Sequence, residues 1–347
     1  MRRPAAGLVS VAGMPAARGR SASAPAVSPA LATALALPWA GWAVVRAAGA
    51  DRGFPVSPAL ALTPYAAGSS VLPLAAALAA RSRPATVLAA ASAAVLGGAA
   101  LQRLRRRPVP VRAATRTLRL VSLNMLHGRA DAEATVALVA RADADVLTLM
   151  EVTPEAVTLL LDAGIGERLP HAHVVPAGEH QPPGAGGALW TRLEVAERRV
   201  LPGRFGQPVA RLVLPGAPDL EVTAVHTDPP LRDQDHVRRW AGELQSLPEP
   251  GGEVLQVLAG DFNATLDHAA FRRVLRSGWA DAAQATGQAW RSTWQPVRSP
   301  EPRLTLDHVL VDPRIGVRSF EVVRVPGSDH RALVTELLVP LAGPVEV

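Results

Sequence analysis

The residues most suited to chemistry lie in the segment Gly260–Asn263, with the sequence Gly-Asp-Phe-Asn, directly after the apolar run Val257–Ala259. This pattern predicts a buried strand that delivers a carboxylate and an amide at its carboxyl end. Asp261 and Asn263 are two positions apart, so on a pleated strand their side chains would share one face. A carboxylate beside a neutral amide can hold a water molecule or a metal ion without the repulsion of paired carboxylates. The same residues are typical of an Asx turn that closes a strand, and this segment alone leaves both interpretations open.

Three earlier segments also predict strands that end in a chemically capable side chain. They are Leu118–Asn124, Asp145–Glu151 and Leu220–His226. A single polar residue at a strand end is more often structural or solvated than catalytic. Because strand ends of one sheet meet at its edge, a series of such residues in one chain indicates a shared site.

Near the end of the chain, Leu304–Val311 predicts another strand, with Asp307 in its middle, and Asp329 and His330 stand immediately before a closing strand. Hard oxygen ligands of this kind suit Mg²⁺, which is typically held by one or two carboxylates together with substrate phosphate. A positioned carboxylate can orient an attacking water molecule, and a His can protonate the leaving oxygen or stabilise the reacting phosphorus. The inventory is therefore that of metal-assisted phosphoryl chemistry.

The charge divides the chain into two unlike parts. It has no Lys and no Cys, so all 36 cationic residues are Arg, and disulfides, zinc–thiolate sites and cysteine nucleophiles are excluded. The first 114 residues carry 13 Arg and a single acid, Asp51, which gives a net charge of +12. Residues 115–347 carry 23 Arg, 29 acids and all nine His, which gives −6. The net charge of +6 for the whole chain therefore arises in the N-terminal part alone.

Three apolar runs in the N-terminal part have the length and composition of membrane-spanning helices: residues 30–49, 58–80 and 85–101. About 20 apolar residues match the roughly 30 Å core of a bilayer. We therefore predict a basic tail over residues 1–29, an all-α transmembrane region of three helices over residues 30–102 and an Arg/Pro linker over residues 103–116. A signal peptide followed by a soluble Ala-rich helical region is the alternative, and it does not account for the second and third runs.

The arginines near the spans bear on orientation. Three spans would place the rest of the chain opposite the N-terminus. Arg2, Arg3, Arg18 and Arg20 precede the first helix, which usually dominates orientation, so we expect a multi-pass protein of the cell membrane with an extracytoplasmic C-terminal domain. The cluster Arg103–Arg107 favours the reverse orientation, which leaves both open on charge alone.

The order of the polar motifs resembles that of the endonuclease/exonuclease/phosphatase superfamily. The matching residues are Asn124, Glu151, His226, Gly260-Asp261-Phe262-Asn263, Leu306-Asp307-His308 and Ser328-Asp329-His330. That superfamily includes deoxyribonuclease I, abasic-site endonucleases, neutral sphingomyelinases and inositol polyphosphate 5-phosphatases. With the strand order, the resemblance implies a deoxyribonuclease I-like two-sheet α/β sandwich flanked by helices over about residues 117–340, with residues 341–347 as a tail. The three-helix preface resembles actinobacterial membrane-anchored members.

The resemblance also implies a role for each matching residue. Glu151 with Asn124 would hold Mg²⁺, or alternatively Mn²⁺, and Asp329 would support that site. Asp261 would orient the nucleophilic water, and Asn263 would bind a phosphate oxygen. His330 would contact the scissile phosphate while Asp307 fixes its tautomer, and His226 would be the second catalytic His.

Two departures from the family pattern bear on the substrate. The only Tyr is Tyr65, in a predicted membrane helix, so the active-site Tyr of abasic-site endonucleases has no counterpart. The carboxylate that pairs with His226 in some nucleases is not evident, with Glu179 and Glu194 as candidates. The net charge of −6 over residues 115–347 opposes duplex DNA binding, which needs phosphate-neutralising cations.

These observations predict a membrane-anchored, metal-dependent phosphoesterase that hydrolyses a phosphate ester or pyrophosphate of a lipid or cell-envelope substrate. A membrane-tethered endonuclease or exonuclease is the alternative with the same chemistry, and nucleic acid as a partner is not favoured. A non-catalytic membrane scaffold is the third reading, which the complete set of polar residues disfavours. We expect the eight site residues to lie in one pocket.

Overall fold

The N-terminal part of the chain is helical in the computed structural model, which describes residues 27–110, 114–178, 181 and 184–341. Its helices are α1 (Pro29–Ala48), α2 (Val56–Ala59), α3 (Thr63–Ser69), α4 (Val71–Ala79) and α5 (Arg83–Leu101), with 3₁₀ turns at Leu60–Leu62 and Gln102–Leu104. The side chain of Ser28 accepts a hydrogen bond from the Leu31 N–H at the start of α1, and Gly49 ends that helix in the left-handed conformation. Local capping signals therefore define the first predicted span.

Two of these helices are long and apolar enough to cross a membrane: Pro29–Ala48, and Arg83 continued to Leu104. The predicted middle span differs, because Val56–Ser69 and Val71–Ala79 form a pair bent by 42° rather than one straight helix. Pro73 lies in α4, and a proline has no N–H to donate to the carbonyl four residues before it, here that of Ser69. The bend lies at that point of the chain. The number of candidate spans is two, or three if the bent pair counts as one.

The bent pair extends along the whole length of the helical region. At one end, Ala77 and Ala80 of this pair cluster with Ala32, near the start of α1, and with Ala85, near the start of α5. At the other end, the carbonyl of Ser57 in α2 lies 3.0 Å from Nε2 of His268 in the C-terminal part. The hydroxyl of Tyr65, in α3, is also hydrogen-bonded to Glu301. The helical region therefore contacts the rest of the protein through α2 and α3 and at the carboxyl ends of α1 and α5.

Arg103, which we predicted to be part of a basic linker, is buried, and its guanidinium is bonded to Asp267. Further along the same segment, the N–H of Arg107 donates to the carbonyl of Gln284 at 2.8 Å. Residues 103–107 therefore lie against the C-terminal part of the protein. Residues 111–113 of the predicted linker, residues 1–26 of the predicted tail and residues 342–347 lie outside the described residues.

The C-terminal part is an α/β sandwich of two six-stranded sheets. The first sheet contains β1 (Thr115–Asn124), β2 (Val146–Val152), β3 (His171–Val175), β4 (Gly186–Thr191), β11 (Gly316–Arg324) and β12 (Arg331–Pro340), in the order β11-β12-β1-β2-β4-β3. The second contains β5 (Val195–Leu201), β6 (Gln207–Leu212), β7 (Leu220–His226), β8 (Leu255–Asp261), β9 (Ala280–Asp281) and β10 (Asp307–Val311), in the order β5-β6-β7-β8-β10-β9. In each sheet a central pair is parallel, β1 with β2 and β7 with β8.

Helices cover the outer surfaces of the sandwich. They are α6 (Ala132–Arg141), α7 (Pro154–Asp162), α8 (Ile165–Arg168), α9 (Gln234–Gln245), α10 (Ala269–Arg276) and α11 (Ala282–Thr286). On β1, Leu118 and Leu120 belong to the core shared with the second sheet, whereas Val121 and Leu123 belong to a separate core with α6 and α7. Because side chains alternate along a strand, Asn124 shares the face of Leu118 and Leu120 and points between the sheets. The predicted two-sheet α/β sandwich is confirmed.

The predicted strands that carry site residues are confirmed, with one correction. Asp307 does not lie in the middle of a strand that begins at Leu304, because β10 begins at Asp307 itself. The preceding residues are held in a different way: Leu304 forms an isolated bridge with Trp294. Asp307 therefore stands at the amino end of an antiparallel strand, which is the sheet edge where the parallel strands β7 and β8 end.

Candidate active site

The polar residues at the strand ends converge on one edge of the sandwich. Six of the eight predicted site residues line a single cavity of about 550 Å³: Glu151, His226, Asp261, Asn263, Asp329 and His330. The other two, Asn124 and Asp307, are buried directly behind it and bond to lining residues. The structure thus brings all eight together.

Strand register explains the convergence in the second sheet. Asp261 pairs with His226 across the parallel β7–β8 ladder and with Asp307 across the antiparallel β8–β10 ladder. A Cβ on Gly260 would lie only 2.0 Å from the carbonyl oxygen of Val225. The glycine before Asp261 therefore permits the close approach of β7 and β8 that places the two functional side chains next to each other.

Asn124, at the end of β1, connects the two sheets. Its Nδ2 donates to Oε1 of Glu151 at 3.0 Å and to Oδ2 of Asp261 at 3.1 Å. Its Oδ1 accepts a hydrogen bond from the N–H of Leu126 at 2.9 Å, which fixes the orientation of the amide. In this geometry the amide nitrogen, not the oxygen, faces the carboxylates, so Asn124 orients Glu151 and Asp261, and its role as a metal ligand stays a prediction.

Glu151 adopts a left-handed backbone conformation, with φ of 56°, at an irregularity in the pairing of β2 with β4. Strained backbone of this type persists where the surrounding structure fixes it and is common at functional sites. Its Oε2 accepts from the N–H of His127 at 2.9 Å and lies 3.1 Å from Nδ1 of the same residue. Burial tends to raise the pKa of Glu151, but His226, the hydrogen bond from Asn124 and the other nearby histidines outweigh it, so the pKa is lowered. Glu151 is therefore a carboxylate at neutral pH.

His330 and Asp307 form a buried pair. Nδ1 of His330 lies 2.9 Å from Oδ2 of Asp307, and the Thr293 hydroxyl donates to the same Oδ2 at 2.6 Å. Nε2 of His330 faces Oδ2 of Asp261 at 3.6 Å. Burial tends to lower the pKa of His330, but Asp307 and Asp261 outweigh it and raise the pKa to about 10. The ring is therefore a cation that Asp307 orients.

Asp261 and Asn263 form the turn that closes β8. Oδ1 of Asp261 accepts from the N–H of Asn263 at 2.8 Å, and Nδ2 of Asn263 donates to the Thr227 carbonyl at 2.8 Å. The Asx turn and the functional site are thus the same structure. Burial together with the neighbouring Asp307 raises the pKa of Asp261 to about 7. A carboxylate with such a pKa is suited to accepting a proton at neutral pH.

His226 lies between an aromatic ring and the carboxylate of Glu151, whose Oε1 is 3.9 Å from its Nε2. Its ring stacks on Phe205, with centroids 4.1 Å apart and planes at 13°. Its buried Nδ1 has no hydrogen-bond partner among the described residues, and burial lowers the pKa of His226 to about 4. Glu194, one of the two candidates for its partner, is exposed and stands just before β5. The start of β5 lies level with the start of β7, whereas His226 is at the other end of β7. Glu179, the other candidate, lies outside the described residues.

The donor set fits a divalent metal ion. Oδ2 of Asp329 accepts from Nε1 of Trp294 at 3.0 Å, and its buried Oδ1, which lies 4.0 Å from Nε2 of His330, has no hydrogen-bond partner in the part of the chain that the structure describes. A buried carboxylate oxygen without a donor is costly unless a cation or water satisfies it. Together with the ionised Glu151, this oxygen provides hard ligands of the kind that Mg²⁺ and Mn²⁺ prefer.

A second group also has metal-ligand geometry: one ligand atom each of Asp261, Asp307 and His330 lies within 4.8 Å of the others. These atoms already satisfy one another, since Nδ1 of His330 is bonded to Asp307. Oδ1 of Asp329, which accepts no hydrogen bond from the described residues, is the better candidate for a metal ligand. The ion pairs among Asp261, Asp307 and His330 account for the proximity of this second group.

Several cavity residues carried no signal in the sequence. His127 bonds to Glu151, Trp294 fixes Asp329, and Arg204 and Phe205 line the wall near His226. Trp294 comes from the Trp- and Pro-containing segment Trp290–Pro302. Pro58, Ala61 and Leu62 of the N-terminal helical region also line the cavity. The spacing of apolar residues predicted a membrane span there and gave no indication of a cavity wall.

The comparisons with known proteins agree with this architecture. Residues 121–330 match the model described as Endonuclease/Exonuclease/phosphatase family. A solved structure of an endonuclease/exonuclease/phosphatase family protein from Leptotrichia buccalis is similar, with a TM-score of 0.51 and 15% identity over 63% of this chain and 99% of that one. Humanized D. rerio TDP2 with 14 mutations is also similar, with a TM-score of 0.50 and 16% identity over 64% of this chain and 98% of that one.

A functionally unknown conserved protein from Enterococcus faecalis gives a TM-score of 0.50 and 14% identity over 64% of this chain and 100% of that one. No curated protein matches. At these identities the solved structures show the fold alone, whereas the family model spans more than half of the chain. The chain belongs to the Endonuclease/Exonuclease/phosphatase family.

Proposed function

We propose that the protein is a membrane-anchored, metal-dependent phosphoesterase that hydrolyses a phosphate ester or pyrophosphate of a lipid or cell-envelope substrate. The observation that carries the proposal is the convergence of Asp261, the His330–Asp307 pair and Glu151 on one cavity. Family members of this class are hydrolases of phosphoester bonds, and this chain has a proton acceptor, a cation and metal-suited carboxylates within one set of hydrogen bonds. The phosphorylated substrate is the partner that such a site requires.

Asp261 is the residue that orients the attacking water and accepts its proton. Its carboxylate is fixed from two sides, by the N–H of Asn263 on Oδ1 and by Nδ2 of Asn124 on Oδ2. Asp261 also lines the cavity, and a carboxylate with two hydrogen bonds has lone pairs left to accept one from a water molecule there. The pKa raised to about 7 places its protonation equilibrium near the pH at which the residue would work.

His330 is the residue that contacts the scissile phosphate. Its Nδ1 is bonded to Asp307, so its Nε2 is the ring atom that faces the cavity. A protonated imidazole stabilises the negative charge that develops on phosphate oxygens and can donate a proton to the leaving oxygen. Neutral His226 and the side chain of Asn263 complete the surroundings of the phosphate.

Glu151, Asp329 and Asn124 are the residues we propose at the metal site, with Mg²⁺ or Mn²⁺ as the ion. When bound there, the metal would supply positive charge to phosphate oxygens. The chain's own contribution is to keep Glu151 ionised and in position, through Asn124 and His127. Asp329 contributes the oxygen that Trp294 leaves free.

The helices support the membrane part of the proposal. Helix α1, and α5 with the turn that follows it, are long and apolar enough to span a membrane. The bent pair of α2–α4 extends from the sandwich to the end of the helical region where α1 and α5 begin. If the bent pair counts as one span, the protein has three spans. Three spans would place the N-terminus and the sandwich on opposite sides of the membrane. With Arg2, Arg3, Arg18 and Arg20 in the tail, we propose an extracytoplasmic site.

The full-length protein, purified in nanodiscs, tests the proposal on a panel of lipid phosphates, lipid diphosphates, soluble phosphate esters, single-stranded DNA and duplex DNA. We expect phosphate or phosphomonoester release from lipid substrates with Mg²⁺ or Mn²⁺, and none after EDTA or with Asp261→Asn. Cleavage of nucleic acid alone would replace the lipid proposal with a tethered nuclease. Turnover of nothing on the panel by a folded wild-type protein would contradict the proposal.

A further inference from the structure

The candidate active site is not built by the sandwich alone. Pro58 of α2, with Ala61 and Leu62 of the following 3₁₀ turn, lines the same cavity as Asp261 and His330. These residues come from the segment between the two long apolar helices. A region that the sequence identifies only as an anchor therefore forms part of the substrate cavity.

The helical residues continue an apolar surface on the sandwich. Leu231, Leu304 and Leu306 line the cavity together with Pro58, Ala61 and Leu62, and we call these six residues the apolar wall. The wall stands beside a polar edge formed by Glu151, Asp261 and His330. One cavity thus combines a phosphate-binding end with a hydrocarbon-lined side.

Buried ion pairs hold the helical part of the apolar wall in place. Arg46, in the last turn of α1, and Arg103, beyond the end of α5, both pair with the carboxylate of Asp267, whose side chain is 0% exposed. Asp51 accepts from the N–H of Ala269 at 2.9 Å. Arg46 and Asp51 precede α2 and Arg103 follows α5, so the segment that contains Pro58 and Leu62 is tied to the sandwich at both ends.

We infer that the substrate is a phosphorylated amphiphile whose hydrocarbon chain lies against the apolar wall, and that Pro58, Ala61 and Leu62 determine specificity for that chain. The inference rests on the proposed phosphoesterase function. A free phosphate gains nothing from burial against leucine and proline, whereas each methylene removed from water adds to affinity. Helix α2 is the part of the bent pair that reaches the cavity. The hydrocarbon chain of the substrate would therefore enter from the side of the apolar helices, while its phosphate lies at the polar edge.

Matched alkyl phosphates and diphosphates of four and twelve carbons test the inference on the full-length protein in nanodiscs, with empty nanodiscs as the blank. We expect kcat/KM to be at least about tenfold higher for the twelve-carbon compounds. Leu62→Asn should reduce kcat/KM for the long chain by about tenfold and leave the short chain within about twofold, and Leu62→Ala should fall between. Leu159→Asn is the control, since Leu159 is 55% exposed on α7 and does not line the cavity.

Binding of dodecylphosphonate and butylphosphonate, measured by calorimetry, keeps the test independent of turnover. A preference for the long chain that Leu62→Asn abolishes and Leu159→Asn retains supports the inference even if no hydrolysis is found. Absence of hydrolysis would contradict the proposed function alone. No chain-length preference in the wild type, or equal loss for both chain lengths in a folded Leu62→Asn protein, would overturn the inference.

Discussion

The two sides of the cavity differ in how the sequence encodes them. On the polar edge, each side chain stands at the end of its own strand, and neighbours in space such as Asp261 and Asp307 are set by strand register. On the apolar wall, Leu62 and Leu304 come from parts of the chain more than 200 residues apart, brought together by the packing of helices on the sandwich. The residues that perform the chemistry can thus be identified from short sequence motifs, whereas the shape of the substrate cavity depends on long-range packing.

Asp261→Asn breaks the polar edge and should have the largest effect. The amide keeps the size of the side chain but cannot accept a proton, so we expect kcat to fall by about 10²–10⁴-fold on any substrate that the wild type hydrolyses. Initial rates of phosphate release measure it. Asp162→Asn, an exposed residue at the end of α7, is the control and should leave kcat unchanged. A folded Asp261→Asn protein with wild-type kcat would remove Asp261 from the mechanism.

Asp267→Ala breaks the attachment of the apolar wall and leaves the polar edge chemically intact. Arg46 and Arg103 would both lose their buried partner, at a cost of about 3–5 kcal/mol of stability. Asp143→Ala is a matched control, because Asp143 also pairs with two arginines, Arg119 and Arg192, but its side chain is 65% exposed. There we expect less than about 1 kcal/mol.

Thermal unfolding of both variants in the same detergent gives the comparison. A large drop in melting temperature for Asp267→Ala beside a small one for Asp143→Ala is the expected pattern. Equal, small drops would show that the helical region is not held by this carboxylate, and the apolar wall would lose its anchor.

Phe205→Ala tests an apolar residue that contacts the catalytic side of the cavity and not the apolar wall. The ring of Phe205 stacks on His226, whose Nδ1 has no hydrogen-bond partner among the described residues. Such a pair contributes about 0.5–1.5 kcal/mol, so we expect kcat to fall by about 2–10-fold with little change in KM. Phe205→Tyr, which keeps the stacked ring, should restore the rate. A raised KM with an unchanged kcat would assign Phe205 to substrate binding instead.

The predictability of the fold follows the same division. The strands that carry Asn124, Glu151, His226 and Asp261 were evident because they are central in their sheets and mostly apolar. None of the four strands at the sheet edges, β3, β5, β9 and β11, was predicted from the sequence. Edge strands are often short, charged or exposed, as in β5, whose central residues are all exposed. Apolar periodicity does not reveal such strands.

The features that depend on tertiary contacts were also those that the sequence misplaced. Asp307 begins a strand because β10 pairs with β8 from that residue on, a fact that lies outside its own segment. Arg103 looked like part of a basic linker, and only the packing of α5 on the sandwich places it against Asp267. Pro73 is a local feature that fits the bend in the predicted middle span, and a prediction from apolar length and composition does not include such a bend.

The dependence of phosphate release on Mg²⁺ concentration tests the central claim most directly. For wild-type protein and a substrate from the panel, we predict a saturable rise in rate with Mg²⁺ and complete loss with EDTA. Glu151→Gln, which keeps hydrogen-bonding capacity but removes the charge beside Asn124, should shift the half-saturating Mg²⁺ concentration upward by about tenfold or more. A rate that is indifferent to both EDTA and Glu151→Gln would contradict the account.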